Sequence, residues 1–305
     1  MAAPTMEQSA TQFIDYLRDV RQLSRHTLSN YQRDLVSLQR YCEDHGKGSA
    51  EQLVEADIRT WVSQLHRRGL AGSSIQRSLS AVRSFFNYLS RVQGRPRNPA
   101  TSVQAPRRPR KLPKTLDADQ VSRYLSFDED SVIARRDRAI AELFYSSGLR
   151  LAELVAVDIN DIDPHSKLLT VTGKGNKTRT VPVGSMALQA IERWLQVRPD
   201  NTADEDGAAA LFTSSRGQRI SVRSVQARLK VQGRKSGMLQ DVHPHMLRHS
   251  FASHMLESSG DLRAVQELLG HANISTTQVY THLDFQHLAK VYDAAHPRAK
   301  RRKRD

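Results

Sequence analysis

Apolar residues recur three and four positions apart through residues 7–90: Phe13, Tyr16, Leu17 and Val20, then Leu28, Tyr31, Leu35 and Leu38. That spacing lines one face of an α-helix. It predicts four or five helices, with Ser24 and Ser73 as N-caps whose side-chain oxygens accept from first-turn amides. "HGKG" at 45–48 and "RGLAG" at 68–72 read as stops. The third and fourth helices, near "ADIRTWVSQLHRR" and "SSIQRSLSAVRSFFNYLSR", set basic residues opposite their apolar stripes, where they can be solvated or can meet phosphate.

The pattern breaks at "QGRPRNPATSVQAPRRPRKLPK", residues 93–114, which holds five of the eleven prolines and seven basic residues. Such a segment is extended and reads as a linker able to cross a nucleic-acid backbone. Helical patterns resume near 117–126 and 131–146. "KLLTVTGKGNKTRTVPVG" alternates like a two-stranded hairpin turning at "GKGNK". Further helices are predicted near 185–197, 221–236, 245–257, 261–269 and 284–293. The fold class is therefore mainly α: a helical domain over 1–92, the linker 93–114, a mostly helical domain with a small sheet over 115–297, and a basic tail over 298–305.

Charge sharpens this division. The formal net charge is +14, but residues 1–114 carry 19 Lys and Arg against 9 Asp and Glu, residues 115–297 carry 21 against 22, and the tail adds +5. A basic first third on a near-neutral remainder fits a nucleic-acid grip attached to a chemical domain. The single cysteine, Cys42, gives no disulfide framework or thiolate-rich zinc site. No stretch approaches the ~20 consecutive apolar residues of a membrane span. A cytoplasmic protein, associated with the nucleoid and free of membrane, is expected.

"HPHMLRHS", residues 243–250, gathers three histidines and an arginine. Zinc would need converging ligands without a fixed cation beside them. Arg248 lies one helical turn from His245, and a guanidinium repels a metal and attracts phosphate. His243 and His249 read as capping or packing residues. Arg150 follows the glycine of "SGLR", Lys174 lies in the hairpin turn, and His271 and Tyr280 lie in "LLGHANISTTQVYTH". Singly each has an ordinary structural explanation. Together they supply metal-free, cofactor-free phosphoryl transfer: guanidiniums neutralise oxygens, imidazoles manage protons, an ammonium protonates a leaving oxygen and a tyrosine attacks phosphorus. A tyrosine hydroxyl ordinarily has a pKa of about 10, so a dense cationic surround is needed to make the attack feasible.

These motifs, "SGLRLAEL", "VTGKGNKTRTVPV", "HPHMLRHSFASHML" and "DLRAVQELLGHANISTTQVYTHL", resemble those of the tyrosine site-specific recombinases, the integrases, in order and spacing. The ending "VYDAAHPRAKR" is similar to one member of the bacterial Xer pair more than to the other, XerD. The resemblance implies Tyr280 as nucleophile, Arg150, Lys174, His245, Arg248 and His271 as catalytic partners, and Glu153 as a support. It further implies a core-binding DNA grip, a dif-like site in double-stranded DNA, and a heterotetramer with an XerD-type recombinase. The FtsK translocase is a further expected partner, and residues 284–305 are expected to dock on a neighbouring protomer.

Rival readings have their own residues. A metal-dependent nuclease could use Asp158, Asp161 and Asp163 of "DINDID", although they share one short turn. A DNA-binding protein without catalysis accounts for the charge alone. A type IB topoisomerase shares the tyrosine chemistry, and a phage-type integrase shares the motifs.

Overall fold

The computed structural model describes residues 4–94, 97–106, 115–173, 177–199, 205–270 and 291–298. The chain forms two compact units, Met1–Lys111 and Leu112–Asp305.

The first unit contains α1 (Met6–Asp19), α2 (Arg25–Asp44), α3 (Glu55–Arg67) and α4 (Gly72–Gln93). Ser24 caps α2 as its position predicts, its hydroxyl accepting from the Thr27 amide at 3.3 Å. Ser73 does not cap α4. The Ile75 amide bonds to the Ala71 carbonyl at 3.0 Å, so the helix begins before the serine and Ala71 is the N-cap. Helix α4 packs against the other three around Phe13, Leu38, Ile58, Trp61 and Phe85.

Two arginines of α4 are occupied within this unit. Arg77 pairs with buried Asp34, whose other oxygen accepts from Ser78 Oγ at 2.9 Å. Arg83 donates to the carbonyls of Ala100, at 2.9 Å, and Val103. The described part of the proline-rich segment is thus more than an extended strap: Ala100 and Val103 are buried in the helical core and the arginine secures their backbone.

The second unit contains α5 (Ala118–Tyr124), α6 (Val132–Ser147), α7 (Leu151–Ala156), β1 (Ile162–Asp163), β2 (Leu168–Thr172), β3 (Thr178–Pro182), α8 (Ser185–Leu195), α9 (Glu205–Ala209), α10 (Val222–Lys235), α11 (Pro244–Ser259) and α12 (Leu262–Leu269). Every residue of α6 from Ala139 to Ser147 is buried, because α8, α10 and α11 pack around it. The strands form an antiparallel sheet in the order β1-β2-β3, with Leu169 opposite Val181 and Val171 opposite Arg179. The predicted hairpin is β2-β3. Strand β1, at two residues, is too short for alternation to reveal. The architecture is mainly α with a small sheet, and no helix among the described residues is long and apolar enough to cross a membrane.

Of residues 284–305, expected to dock on a neighbouring protomer, 284–290 and 299–305 lie outside the described residues. Residues 291–298 dock on their own unit, where Tyr292 and Ala295 join the core. The Tyr292 hydroxyl lies 2.8 Å from Ser146 Oγ, His296 Nε2 donates to the Tyr145 carbonyl at 3.1 Å, and Arg298 pairs with Glu142. Glu142 is almost fully buried, and Arg298 supplies it with a second cation beside Arg138 of its own helix, 3.9 Å away.

Candidate active site

Helix α6 ends at Gly148, which turns the chain at φ +57°. A Cβ there would lie 2.5 Å from Phe251 Cδ1 and 3.1 Å from Leu269 Cδ2, so both the conformation and the space require glycine. Two residues on, Arg150 is the N-cap of α7, and Glu153, three residues further, accepts from the Arg150 amide through Oε2 at 2.7 Å.

The same carboxylate organises two guanidiniums. Arg150 Nη1 donates to Glu153 Oε1 at 2.8 Å, and Arg150 Nη2 donates to the Gly270 carbonyl at 3.0 Å. Arg179, from β3, grips Glu153 with both ends of its fork, at 2.7 Å to Oε1 and 2.9 Å to Oε2. Burial alone would raise the Glu153 pKa, but hydrogen bonds from Arg179 and the Arg150 amide outweigh it and hold the carboxyl down at about 2.

Arg248, on α11, donates to the Gly148 carbonyl and to the Leu269 carbonyl, the latter at 2.7 Å. Burial, then the nearby charge of Arg150, pushes its pKa down to about 10, which leaves it charged at neutral pH. Arg150 and Arg248 therefore converge from different helices on the carbonyls of Leu269 and Gly270, where α12 ends. Three arginines against one carboxylate leave an excess of positive charge suited to a phosphate.

His245 is exposed in the first turn of α11, one turn before Arg248. His243 is the N-cap of that helix, its Nδ1 accepting from the Met246 amide at 3.2 Å, and His249 is exposed. The structure thus brings Arg150, Glu153 and Arg248 together and sets His245 on the helix of Arg248. Lys174, His271 and Tyr280 lie outside the described residues.

Arg179 was not among the residues singled out from sequence. Its signal was present, since it is in phase with Leu169, Val171 and Val181, the buried face of the hairpin, where a lone arginine requires a carboxylate. The aspartates of "DINDID" have local partners instead. Asp161 accepts from the Asp158 amide at 2.8 Å, Asp158 pairs with Arg219 at 2.7 Å, and Asp163 accepts from the amides of His165 and Ser166.

Residues 10–93 match the phage integrase N-terminal SAM-like domain and residues 114–287 match the phage integrase family. The chain is 54% identical over 293 residues to the tyrosine recombinase XerC of Pseudomonas aeruginosa, covering 95% of each chain. It is 52% identical over 300 residues to that of Alcanivorax borkumensis, covering 98% of this chain and 96% of the relative. Among solved structures, XerH site-specific recombinase bound to a palindromic difH substrate aligns with a TM-score of 0.69 at 20% identity, covering 94% of this chain and 84% of that one. The Tn1549 transposon integrase bound to transposon right-end DNA aligns at 0.71 and 17%, covering 94% and 99%. These two likenesses are of fold, while the family matches and the XerC relatives fix the lineage. The chain belongs to the phage integrase family and is a tyrosine recombinase.

Proposed function

We propose that this recombinase exchanges DNA strands at a dif-type site together with an XerD-type partner, in a heterotetramer that resolves chromosome dimers. Residues 1–92 act as the DNA grip, 93–114 as a basic linker whose Ala100–Val103 stretch is anchored on that grip, 115–297 as the catalytic domain and 298–305 as a basic tail. The FtsK translocase is the further partner this role calls for, and the nucleoid is where the protein works.

The Tyr280 oxygen attacks the scissile phosphorus, a P–O bond to tyrosine forms, and the P–O5′ bond breaks. Lys174 gives its proton to the departing 5′-oxygen. Arg150 and Arg248 neutralise the non-bridging oxygens, His271 donates to one of them, and His245 takes the tyrosine proton. Glu153 holds Arg150. One ester replaces another, so the bond energy is retained, and the 5′-hydroxyl of a partner strand reverses the step to complete exchange.

One observation carries this reading: Arg150 and Arg248, from separate helices, are tied through carbonyls to one turn and to the end of the helix that precedes His271 and Tyr280 in the chain. The test is strand exchange between two labelled dif-type duplexes with an XerD-type recombinase present. Recombinant strands support the reading. Relaxation of supercoiled DNA without exchange between sites would make the protein a topoisomerase instead.

A further inference from the structure

We propose that Arg179 is a positioning residue for cleavage: it supplies the second cation on Glu153 and so leaves the charge of Arg150 available to the scissile phosphate. The proposal rests on Arg150 acting at the phosphate, as argued above.

The geometry is specific. Arg179 is 12% exposed in its side chain and Glu153 only 3%. Both terminal nitrogens of Arg179 are spent on that carboxylate, and its Nε is buried with no hydrogen-bond partner among the described residues. The stem lies against the end of α12. A Cβ on Gly270 would sit 2.8 Å from Arg179 Nε and 2.9 Å from Cδ, so glycine is what lets the arginine pass. Gly173, at the base of the hairpin, closes the other side, with a Cβ there 3.4 Å from Glu153 Oε1 and 3.7 Å from Arg179 Nη1. Arg179 therefore joins the hairpin, the Arg150 turn and the end of α12, and among the described residues its fork is directed at Glu153 alone.

Charge explains why this matters. A buried carboxylate paired with Arg150 alone would cancel the guanidinium that the phosphate needs. With Arg179 on the same carboxylate the trio keeps one net positive charge, and Arg150 keeps its position because Glu153 is held from both sides. Among the described residues Glu153 accepts four hydrogen bonds, three of them from the two guanidiniums and one from the Arg150 amide.

The test compares cleavage of a dif-type duplex carrying either a normal scissile phosphodiester or a neutral methylphosphonate at the same position, by single preparations of wild type, Arg179→Gln and Arg150→Ala. Arg179→Gln is expected to slow phosphodiester cleavage by about tenfold to a hundredfold with little change in DNA affinity, the scale of a misplaced or underpowered catalytic group. On the methylphosphonate, which lacks the charge to be neutralised, its deficit relative to wild type should shrink by at least about tenfold, as should that of Arg150→Ala. The ratio of the two substrates is independent of how much of each preparation is folded.

Equal deficits on both substrates, or no deficit, would overturn the proposal. A deficit for Arg150→Ala that did not shrink would instead overturn the assignment of Arg150 to the phosphate. Arg179→Lys, which keeps the charge but loses the fork, is expected to lie between wild type and the glutamine variant. If neither Arg179 variant folded, the residue would be a structural one and the proposal would fail.

Discussion

Arg248 donates to the carbonyl of Gly148, so the arginine of α11 is bound to the turn that presents Arg150. The two guanidiniums share a scaffold, and a disturbance of that turn should reach both. Gly148→Ala places a methyl against Phe251 in a left-handed conformation. We expect a loss of about 2–4 kcal/mol from overpacking and backbone strain together, read by urea unfolding. An unchanged midpoint would mean that the turn relaxes freely.

Arg150→Ala and Arg248→Ala should each reduce cleavage by about a hundredfold or more, the scale for removal of one preorganised oxyanion partner. DNA affinity, measured by gel shift, should change far less. Near-normal cleavage by either would make that arginine a structural ion-pair residue.

Lys174→Ala should regain activity on a substrate whose scissile 5′-oxygen is sulfur, because a thiolate leaves without a proton. The comparison is the rate of covalent adduct formation on the two substrates. Absence of rescue would reassign the lysine from acid to phosphate contact.

The end of the chain carries a pH dependence. Burial, and the nearby charges of Arg298 and His254, push the His296 pKa down to about 4. Its Nδ1 accepts from the Arg298 amide while Nε2 donates to Tyr145, which is the neutral imidazole. The unfolded chain protonates this group near its ordinary value of 6.5 and the folded chain only near 4. Its contribution to stability is thus full above about 6.5 and is lost as pH falls toward 4, at up to about 1.4 kcal/mol per pH unit. His296→Gln should flatten that stretch of the stability profile. Removal of residues 291–305 should destabilise the second unit by about 3 kcal/mol or more, because the core loses Tyr292 and Ala295 and buried Glu142 loses Arg298, keeping only Arg138. Normal thermal unfolding of the truncated protein would contradict this docking.

Helix patterning and motif spacing made much of the molecule legible before any coordinates. The stripe of Phe13, Leu17, Leu35 and Leu38 enters the first core, and Ser24 caps the helix it precedes. Arg150, Glu153 and Arg248, which the structure brings together, could be singled out because their motifs resemble the family's in order and spacing. Other features depend on tertiary partners that sequence does not pair. Arg77 and Arg83 read as solvent- or phosphate-facing, yet each has an internal acceptor. Arg179 alternates in phase with Val181 along its own strand, but only the hairpin register and the packing set it beside Val171 and on Glu153. The docking of residues 291–298 brings Arg298 to Glu142, an acidic residue in the fully buried second half of its helix, a pairing that appears only once the packing is known.

The central claim is covalent catalysis by Tyr280, and the direct measurement is capture of the protein on a nicked suicide substrate carrying a dif-type site, followed by peptide mapping of the adduct. The account predicts a 3′-phosphodiester to Tyr280 in the wild type, with a chelator present, and no adduct for Tyr280→Phe at nearly unchanged DNA affinity. An adduct that persists in the phenylalanine variant, or that maps to another residue in the wild type, would contradict it.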